Sequence, residues 1–237
     1  MPTLIDTHCH VNLYPNGEAV VQEVEQDRME VIMVTTEPDA FENHAVQSAR
    51  IHPALGLLPQ EINRLAPELD RFLGLLPQTR YVGEIGLDYV TECEAERALQ
   101  LEVFTRILSG CAEAGDKVIS IHSRRAADDV IACIGRDFPG KVILHWFSGS
   151  VRNVEAAEGI YFSINPAMIR SRSAKKLIRA MNPDYILTET DGPYVQVDDR
   201  NARPSDVKRV INWLAQEWQV DFETSADRVW QNWLRVP

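Results

Sequence analysis

Short runs of branched and apolar residues alternate along the chain with longer stretches in which apolar residues return every three or four positions. The runs Leu4–His8, Val31–Thr35, His52–Leu57, Tyr81–Ile85, Val118–His122, Val142–Trp146, Tyr161–Ile164 and Tyr185–Thr190 predict eight strands. The intervening spacing predicts helices over Glu18–Arg28, Asp39–Ile51, Glu68–Leu76, Glu94–Ala114, Ala126–Asp137, Ser150–Gly159 and Ser173–Met181. Two more, Ser205–Trp218 and Phe222–Leu234, close the chain. Pro38-Asp39 and Pro204-Ser205 read as helix starts, and Gly115, Gly140 and Gly159 as stops. Alternating strands and helices imply a parallel sheet with helices outside. Eight such units in 237 residues favour an α/β fold closed as a TIM-type (β/α)8 barrel, whose usual length is roughly 250 residues. No Gly-x-Gly-x-x-Gly follows the first run, which disfavours a dinucleotide fold. No linker or repeat interrupts the rhythm, so one domain over 1–237 is expected.

Composition narrows the class without naming a chemistry. Hydrophobic content of 45% and charged content of 25% are those of a globular protein. No apolar run approaches the ~18 residues of a membrane span. The first residues carry an acid and two histidines rather than the basic and apolar regions of a leader. Cys9, Cys93, Cys111 and Cys133 have no Cys-x-x-Cys spacing and read as reduced thiols. A cytoplasmic protein is expected. The net charge of −11 opposes a polyanionic partner, yet it is unevenly spread. Acids gather in Glu18–Glu30 and Glu92–Glu102, whereas Ile164–Met181 holds none and carries Arg170, Arg172, Lys175, Lys176 and Arg179. A run of cations on a helix is commonly a solvated face, so charge alone does not fix the partner.

The candidate chemistry lies at the predicted strand ends. In Asp6-Thr7-His8-Cys9-His10, alternation places His8 and His10 on one side of a strand with Asp6 behind them. Glu84 ends the fourth run, His122 the fifth, His145 the sixth, and Asp191 follows the eighth. In a barrel these ends share one face, where active sites form. Four of six histidines fall there, while His44 and His52 read as structural. Four imidazoles and two carboxylates exceed the three protein ligands of a typical single catalytic ion. They suit two divalent cations, Zn²⁺, Mn²⁺ or Mg²⁺, with Glu84 bridging, His8, His10 and Asp191 completing one site, and His122 and His145 the other. Two cations ~3.5–4 Å apart stabilise the attacking and the leaving oxygen of a displacement.

These residues resemble the TatD-type metal-dependent deoxyribonucleases among the amidohydrolase-like, metallo-dependent hydrolase barrels. The motifs that carry the likeness are Asp6-Thr7-His8-Cys9-His10, Gly83-Glu84-Ile85-Gly86-Leu87-Asp88-Tyr89, Gln100 with Phe104, His122-Ser123-Arg124, His145-Trp146-Phe147-Ser148-Gly149 and Glu189-Thr190-Asp191-Gly192-Pro193-Tyr194. They run in the family's order across nearly the whole chain. The resemblance implies two divalent cations at the six positions and phosphodiester hydrolysis of DNA, often from the 3′ end. Two departures stand out. Leu58 occupies the place of a histidine in a Gly-x-His-Pro turn that contacts substrate phosphate, and the loop after the last strand is short, with Asn201-Ala202-Arg203-Pro204. With Ser163-Ile164-Asn165-Pro166-Ala167-Met168, the chain is similar to the QatD branch of a multi-gene anti-phage system, which implies protein partners in a defence complex.

The expected roles follow from chemistry. Asp191 serves as ligand and general base, and Glu84 as bridging carboxylate. Arg124, two residues past His122, contacts a phosphate oxygen through its planar fork. Arg170, Arg172, Lys175 and Lys176 follow the backbone of DNA, single-stranded or at a 3′ end. Glu189 either orients a ligand or is structural. Trp213, Trp218, Trp230 and Trp233 cluster with Val210 and Leu214 and read as packing rather than base stacking; Trp146 stays unassigned. Hydrolysis of a small amide or phosphotriester fits similar ligands, although such barrels often use a lysine where Glu84 stands. A metal-stabilised binding subunit is the non-catalytic alternative.

Overall fold

Each predicted apolar run becomes a strand in the computed structural model, which describes residues 3–236. Residues 1, 2 and 237, the ends of the expected 1–237 domain, lie outside the described residues. The strands are β1 (Ile5–Cys9), β2 (Glu30–Val34), β3 (Ile51–Leu55), β4 (Tyr81–Gly86), β5 (Val118–His122), β6 (Lys141–His145), β7 (Tyr161–Ile164) and β8 (Ile186–Thr188). They are ordered β1 through β8 in one sheet, with a small antiparallel ribbon of β9 (Gln196–Val197) and β10 (Arg200–Asn201) after it. β1 pairs parallel with β2, β3 with β4, β4 with β5, β5 with β6 and β7 with β8. Helices α1 (Gly17–Asp27), α2 (Pro38–Glu42), α3 (Ile62–Leu65), α4 (Leu69–Leu75), α5 (Glu94–Ala114), α6 (Ala127–Ile134), α7 (Val151–Ala156), α8 (Arg172–Ala180), α9 (Val207–Trp218) and α10 (Phe222–Trp233) fill the intervals. This order is that of the TIM-type (β/α)8 barrel. Among the described residues no helix is long and apolar enough to cross a membrane. The four cysteines are free thiols.

Contacts group the chain into two compact units. The first comprises the chain up to Met33, Ala45–His52 and everything from Tyr161 onward. Its core gathers Leu4, Val20, Val24, Met29, Val31, Met33, Ile51, Val207, Ile211 and Ala226. β8 is fastened to β1 by its own threonines: Thr7 Oγ1 donates to the Thr188 carbonyl (3.1 Å) and Thr188 Oγ1 to that of Ile5 (2.5 Å). α10 is docked by Asn232, whose Nδ2 donates to the carbonyls of Pro183 and Ile186, both at 2.8 Å. Trp233 is buried and Trp213, Trp218 and Trp230 are half-buried, as the packing reading expects.

One predicted helix is mostly absent. Of the predicted Asp39–Ile51 only 39–42 is helical, as part of α2 (Pro38–Glu42). The following segment serves β2 instead: Val31 N donates to Arg50 O (2.9 Å), Arg50 pairs with Glu30 (2.8 Å), and Ser48 Oγ donates to Glu25. These long-range partners override a weak helical pattern. His52, read as structural, hydrogen-bonds Glu30 at 2.9 Å.

Asp206, ahead of α9, is a buried carboxylate facing the Arg200 guanidinium through two contacts of 2.7 and 2.9 Å and accepting from Arg203 N at 2.8 Å. Burial alone would raise its pKa; the Arg200 and Arg203 hydrogen bonds override that and hold it below the ordinary carboxylate value. A depressed carboxylate stabilises the fold above its unfolded pKa and loses that contribution as pH falls through the folded one. Asp206→Asn is therefore expected to cost about 1–2 kcal/mol at neutral pH, since Arg200 is half-exposed and partly screened. The deficit should shrink below about pH 4. Denaturant midpoints at pH 7 and pH 3.5 check this; an equal deficit at both would refute it.

The second unit comprises Val34–His44 and Pro53–Ile160. α5 ends where Gly115 takes a left-handed φ of 77° and returns its N–H to Cys111 O. α7 begins with a reciprocal box between Ser150 and Asn153. Gly56, just past β3, lies against the β2 extension: a Cβ there would stand 1.6 Å from Thr35 O and 2.9 Å from Glu84 N. The same Thr35 O accepts from Glu84 N at 2.9 Å. Close backbone approach at Gly56 thus sets the height of Glu84.

Candidate metal centre

The first unit brings His8, His10 and Asp191 together. His8 is the fourth residue of the fully buried β1, and His10 follows it. Asp191 comes after β8 with φ 50°, a left-handed conformation that a non-glycine residue holds only when its surroundings impose it. Asp191 N donates to His8 O and His10 N to Gly192 O, both at 2.8 Å, which locks the two segments in register. Asp191 Oδ1 lies 3.7 Å from His8 Nε2 and 3.6 Å from His10 Nε2. These separations exceed hydrogen-bond length. They match two donors on one ion, since ligands about 2.1 Å from a tetrahedral metal stand about 3.4 Å apart.

Asp6 and Glu189 brace this set. Asp6 Oδ1 accepts from His8 N (3.2 Å) and Thr190 N (2.9 Å), and Oδ2 from Thr190 Oγ1. Burial pushes the Asp6 carboxyl up to about 7 against those donors. Glu189 is buried, with Ser163 Oγ and Asn165 Nδ2 (2.9 Å) donating to it. Burial, helped by the Asp191 charge, drives its pKa well above the ordinary value. Glu189 therefore secures the Ser163–Asn165 end of β7 beside Asp191.

The second unit supplies Glu84, His122 and His145, whose ligand atoms all lie within 4.8 Å of one another. Glu84 Oε1 is 2.8 Å from His122 Nδ1 and 3.0 Å from His145 Nε2, and the two nitrogens are 3.2 Å apart. Two imidazoles crowding one carboxylate oxygen form a buried mixed donor set of the kind that Zn²⁺ or Mn²⁺ accepts. Gly86 permits it: its φ is 137°, and a Cβ would meet His122 O at 2.1 Å.

A residue outside the expected ligand set orients His122. Asp88 Oδ2 lies 2.8 Å from His122 Nε2, leaving Nδ1 turned toward Glu84 and His145. Burial would lower the His122 pKa, but the hydrogen bonds of Asp88 and Glu84 override it and raise it to about 9. Gln100 holds this loop by accepting from Asp88 N (2.8 Å) and donating to Asp88 O (3.2 Å). The signal was present: from Glu84, strand alternation carries through Gly86 to Asp88. A carboxylate behind a ligand histidine fixes its tautomer and raises its basicity, so Asp88→Asn should weaken divalent-metal affinity about 10- to 100-fold. Titration with a chelator-buffered metal series checks it, and an unchanged affinity would remove Asp88 from the site.

The expected phosphate contacts are spread over both units. Arg124 is exposed; burial would raise the Asp88 carboxyl, but the hydrogen bonds of His122 and Val90, helped by the charges of His122 and Arg124, hold it below its ordinary value. Arg170 donates to Gln196 O at 2.8 Å. Arg172 and Lys176 are exposed on α8, whereas the Lys175 ammonium sits 5.9 Å from the Trp213 ring centroid. Leu58 precedes a 3-10 turn, Pro59–Glu61, from which Gln60 Nε2 reaches 3.4 Å from His122 Nε2. Trp146, beside His145, is 39% exposed with φ 38°.

Histidine and carboxylate sets at the strand ends of a (β/α)8 fold define a metal-dependent hydrolase. A family model described as TatD-related DNase matches residues 5–236, and the chain belongs to that family. It is thereby a hydrolase acting on ester bonds. An uncharacterised metal-dependent hydrolase of Methanocaldococcus jannaschii is 27% identical over 96% of this chain and 94% of its own. A 3′-5′ ssDNA/RNA exonuclease TatD of Erwinia tasmaniensis is 28% identical over 73% of this chain and 72% of its own. Among solved structures, YJJV, a TatD homologue from Escherichia coli, superposes with a TM-score of 0.84 at 25% identity, covering 97% of this chain and 95% of that one.

Proposed function

We propose that the chain works as one catalytic domain, 1–237, which removes nucleotides from 3′ ends of single-stranded DNA using two divalent cations. The observation that carries this reading is the pair of buried three-residue sets, His8–His10–Asp191 and Glu84–His122–His145, at the ends of their strands. The exonuclease name of the Erwinia relative supports the polarity and the strand preference.

Bound there, Zn²⁺, Mn²⁺ or Mg²⁺ supplies Lewis acidity toward water and phosphate oxygen. The protein's part is to place and move protons. Asp191, rigidly held by its backbone, receives the proton of the attacking water as general base. Glu84 keeps negative charge between the two imidazoles that face it. Arg124 takes a non-bridging phosphate oxygen, and Arg170, Arg172 and Lys176, with Lys175 behind them, follow the backbone. The likeness to the QatD branch, carried by Ser163–Met168 together with Leu58 and the short loop at Asn201–Pro204, extends the proposal to a cytoplasmic role in anti-phage defence with protein partners.

The test is a 5′-labelled single-stranded oligonucleotide incubated with each metal in turn and with EDTA. A ladder shortening from the 3′ end, lost with chelator, is expected. Absence of cleavage with every metal, alongside turnover of a small amide or phosphotriester, would transfer the chain to the amidohydrolase reading.

A further inference from the structure

From Ile186 to Gly192 every residue is buried, and Val195 is buried again, yet between them Tyr194 is 57% exposed. A tyrosine recruited for packing buries its ring and keeps only its hydroxyl in reach of water. Tyr194 is instead mostly exposed, beside His10. Its ring centroid is 5.0 Å from that of His10, at an interplanar angle of 83°. Its position is not left to a mobile loop: Tyr194 N donates to Asp191 O at 2.9 Å, and Val195 N to the same carbonyl at 3.1 Å. Val195 is anchored in turn among Val197, Ala202 and Ala167. Tyr194 is thus carried on the same tight turn as the proposed general base, and little backbone freedom remains to be lost when a ligand meets it.

We infer that Tyr194 is a specificity-determining residue, a fixed aromatic platform on which a nucleobase of the bound strand stacks while its phosphodiester lies at His10 and Asp191. This rests on the nuclease reading above and adds the base contact that the two ligand sets cannot supply. Aromatic stacking holds any of the four bases, since each offers a π-face, so the contact selects unpaired strands without selecting sequence. A duplex end, whose bases are stacked on one another, must first release one.

The test compares Tyr194→Ala with the unaltered protein on two oligonucleotides, one intact and one with abasic residues at its last two 3′ positions. On the intact strand Tyr194→Ala should raise KM about tenfold, with a smaller change in kcat. On the abasic strand the unaltered protein should already show a raised KM, and the substitution should add less than about twofold. Tyr194→Trp, which retains an aromatic face, should recover most of the lost affinity. An equal rise on both strands, or bound metal falling in step with activity, would overturn the inference by assigning Tyr194 to the support of His10 or to the sugar. Failure of the unaltered protein to cut either strand would overturn the nuclease reading and this inference together.

Discussion

Glu84→Gln should strip the second unit's ligand set of its charge and reduce phosphodiester hydrolysis about a thousandfold. The substitution preserves size and leaves the β4 backbone with its partners, so the fold should survive. What changes is that His122 Nδ1 and His145 Nε2, 3.2 Å apart, lose the anion that both approach. A neutral amide is a poor ligand for a divalent ion beside imidazole. Metal content after dialysis should fall together with activity, and circular dichroism should not move. Retention of both metal and more than a tenth of the rate would refute a ligand role for Glu84.

Gly56→Ala should be strongly destabilising for a single added methyl. The added Cβ would lie 1.6 Å from Thr35 O and 2.5 Å from Thr35 C, backbone atoms that no rotamer change can move aside. Thr35 is pinned from three directions: its N–H donates to Ala54 O and Gly83 O, its hydroxyl donates to Ala54 O, and its carbonyl accepts from Glu84 N. Relief therefore requires two strands to part. A loss of at least about 3 kcal/mol is expected, beyond ordinary overpacking. Because the displaced partner is the Glu84 amide, metal affinity should drop even where the variant still folds. A melting temperature within two or three degrees of the unaltered protein's would show that the strands yield more easily than their hydrogen bonds imply.

Strand positions were legible because eight branched apolar runs sit at buried positions, where burial and β-propensity agree. α5 was legible to the residue, 94–114, since its glycine stop is also its geometric stop. The stretch after Glu42 was not, because what fixes it is remote: Arg50 and Ser48 answer to Glu30 and Glu25, contacts that no local period encodes. The same division runs through the site. Ligand residues were visible as histidines and acids at strand ends. The roles of Asp88 and Asp6 were less so, because a brace is defined by what it touches. His122 and Thr190 become their partners only once β5 and β8 are in place. The exposure of Tyr194 between Gly192 and the buried Val195 was not legible, since its immediate neighbours Pro193 and Val195 are both apolar.

The two ligand sets differ in how much polypeptide must exist before they can form. Glu84, His122 and His145 belong to a unit that is complete once residue 160 has been made. His8 and His10 leave the ribosome first, but their carboxylate partner and the Asp6–Thr190 brace, 184 residues apart, arrive only with the last quarter of the chain. With synthesis proceeding at about 5–20 residues per second, those two imidazoles spend roughly ten to forty seconds waiting for Asp191. Nascent chains arrested between residues 160 and 190 therefore carry one complete set of ligands and two of the three residues of the other, which leaves the proposed general base as the last of the six ligand side chains to be made.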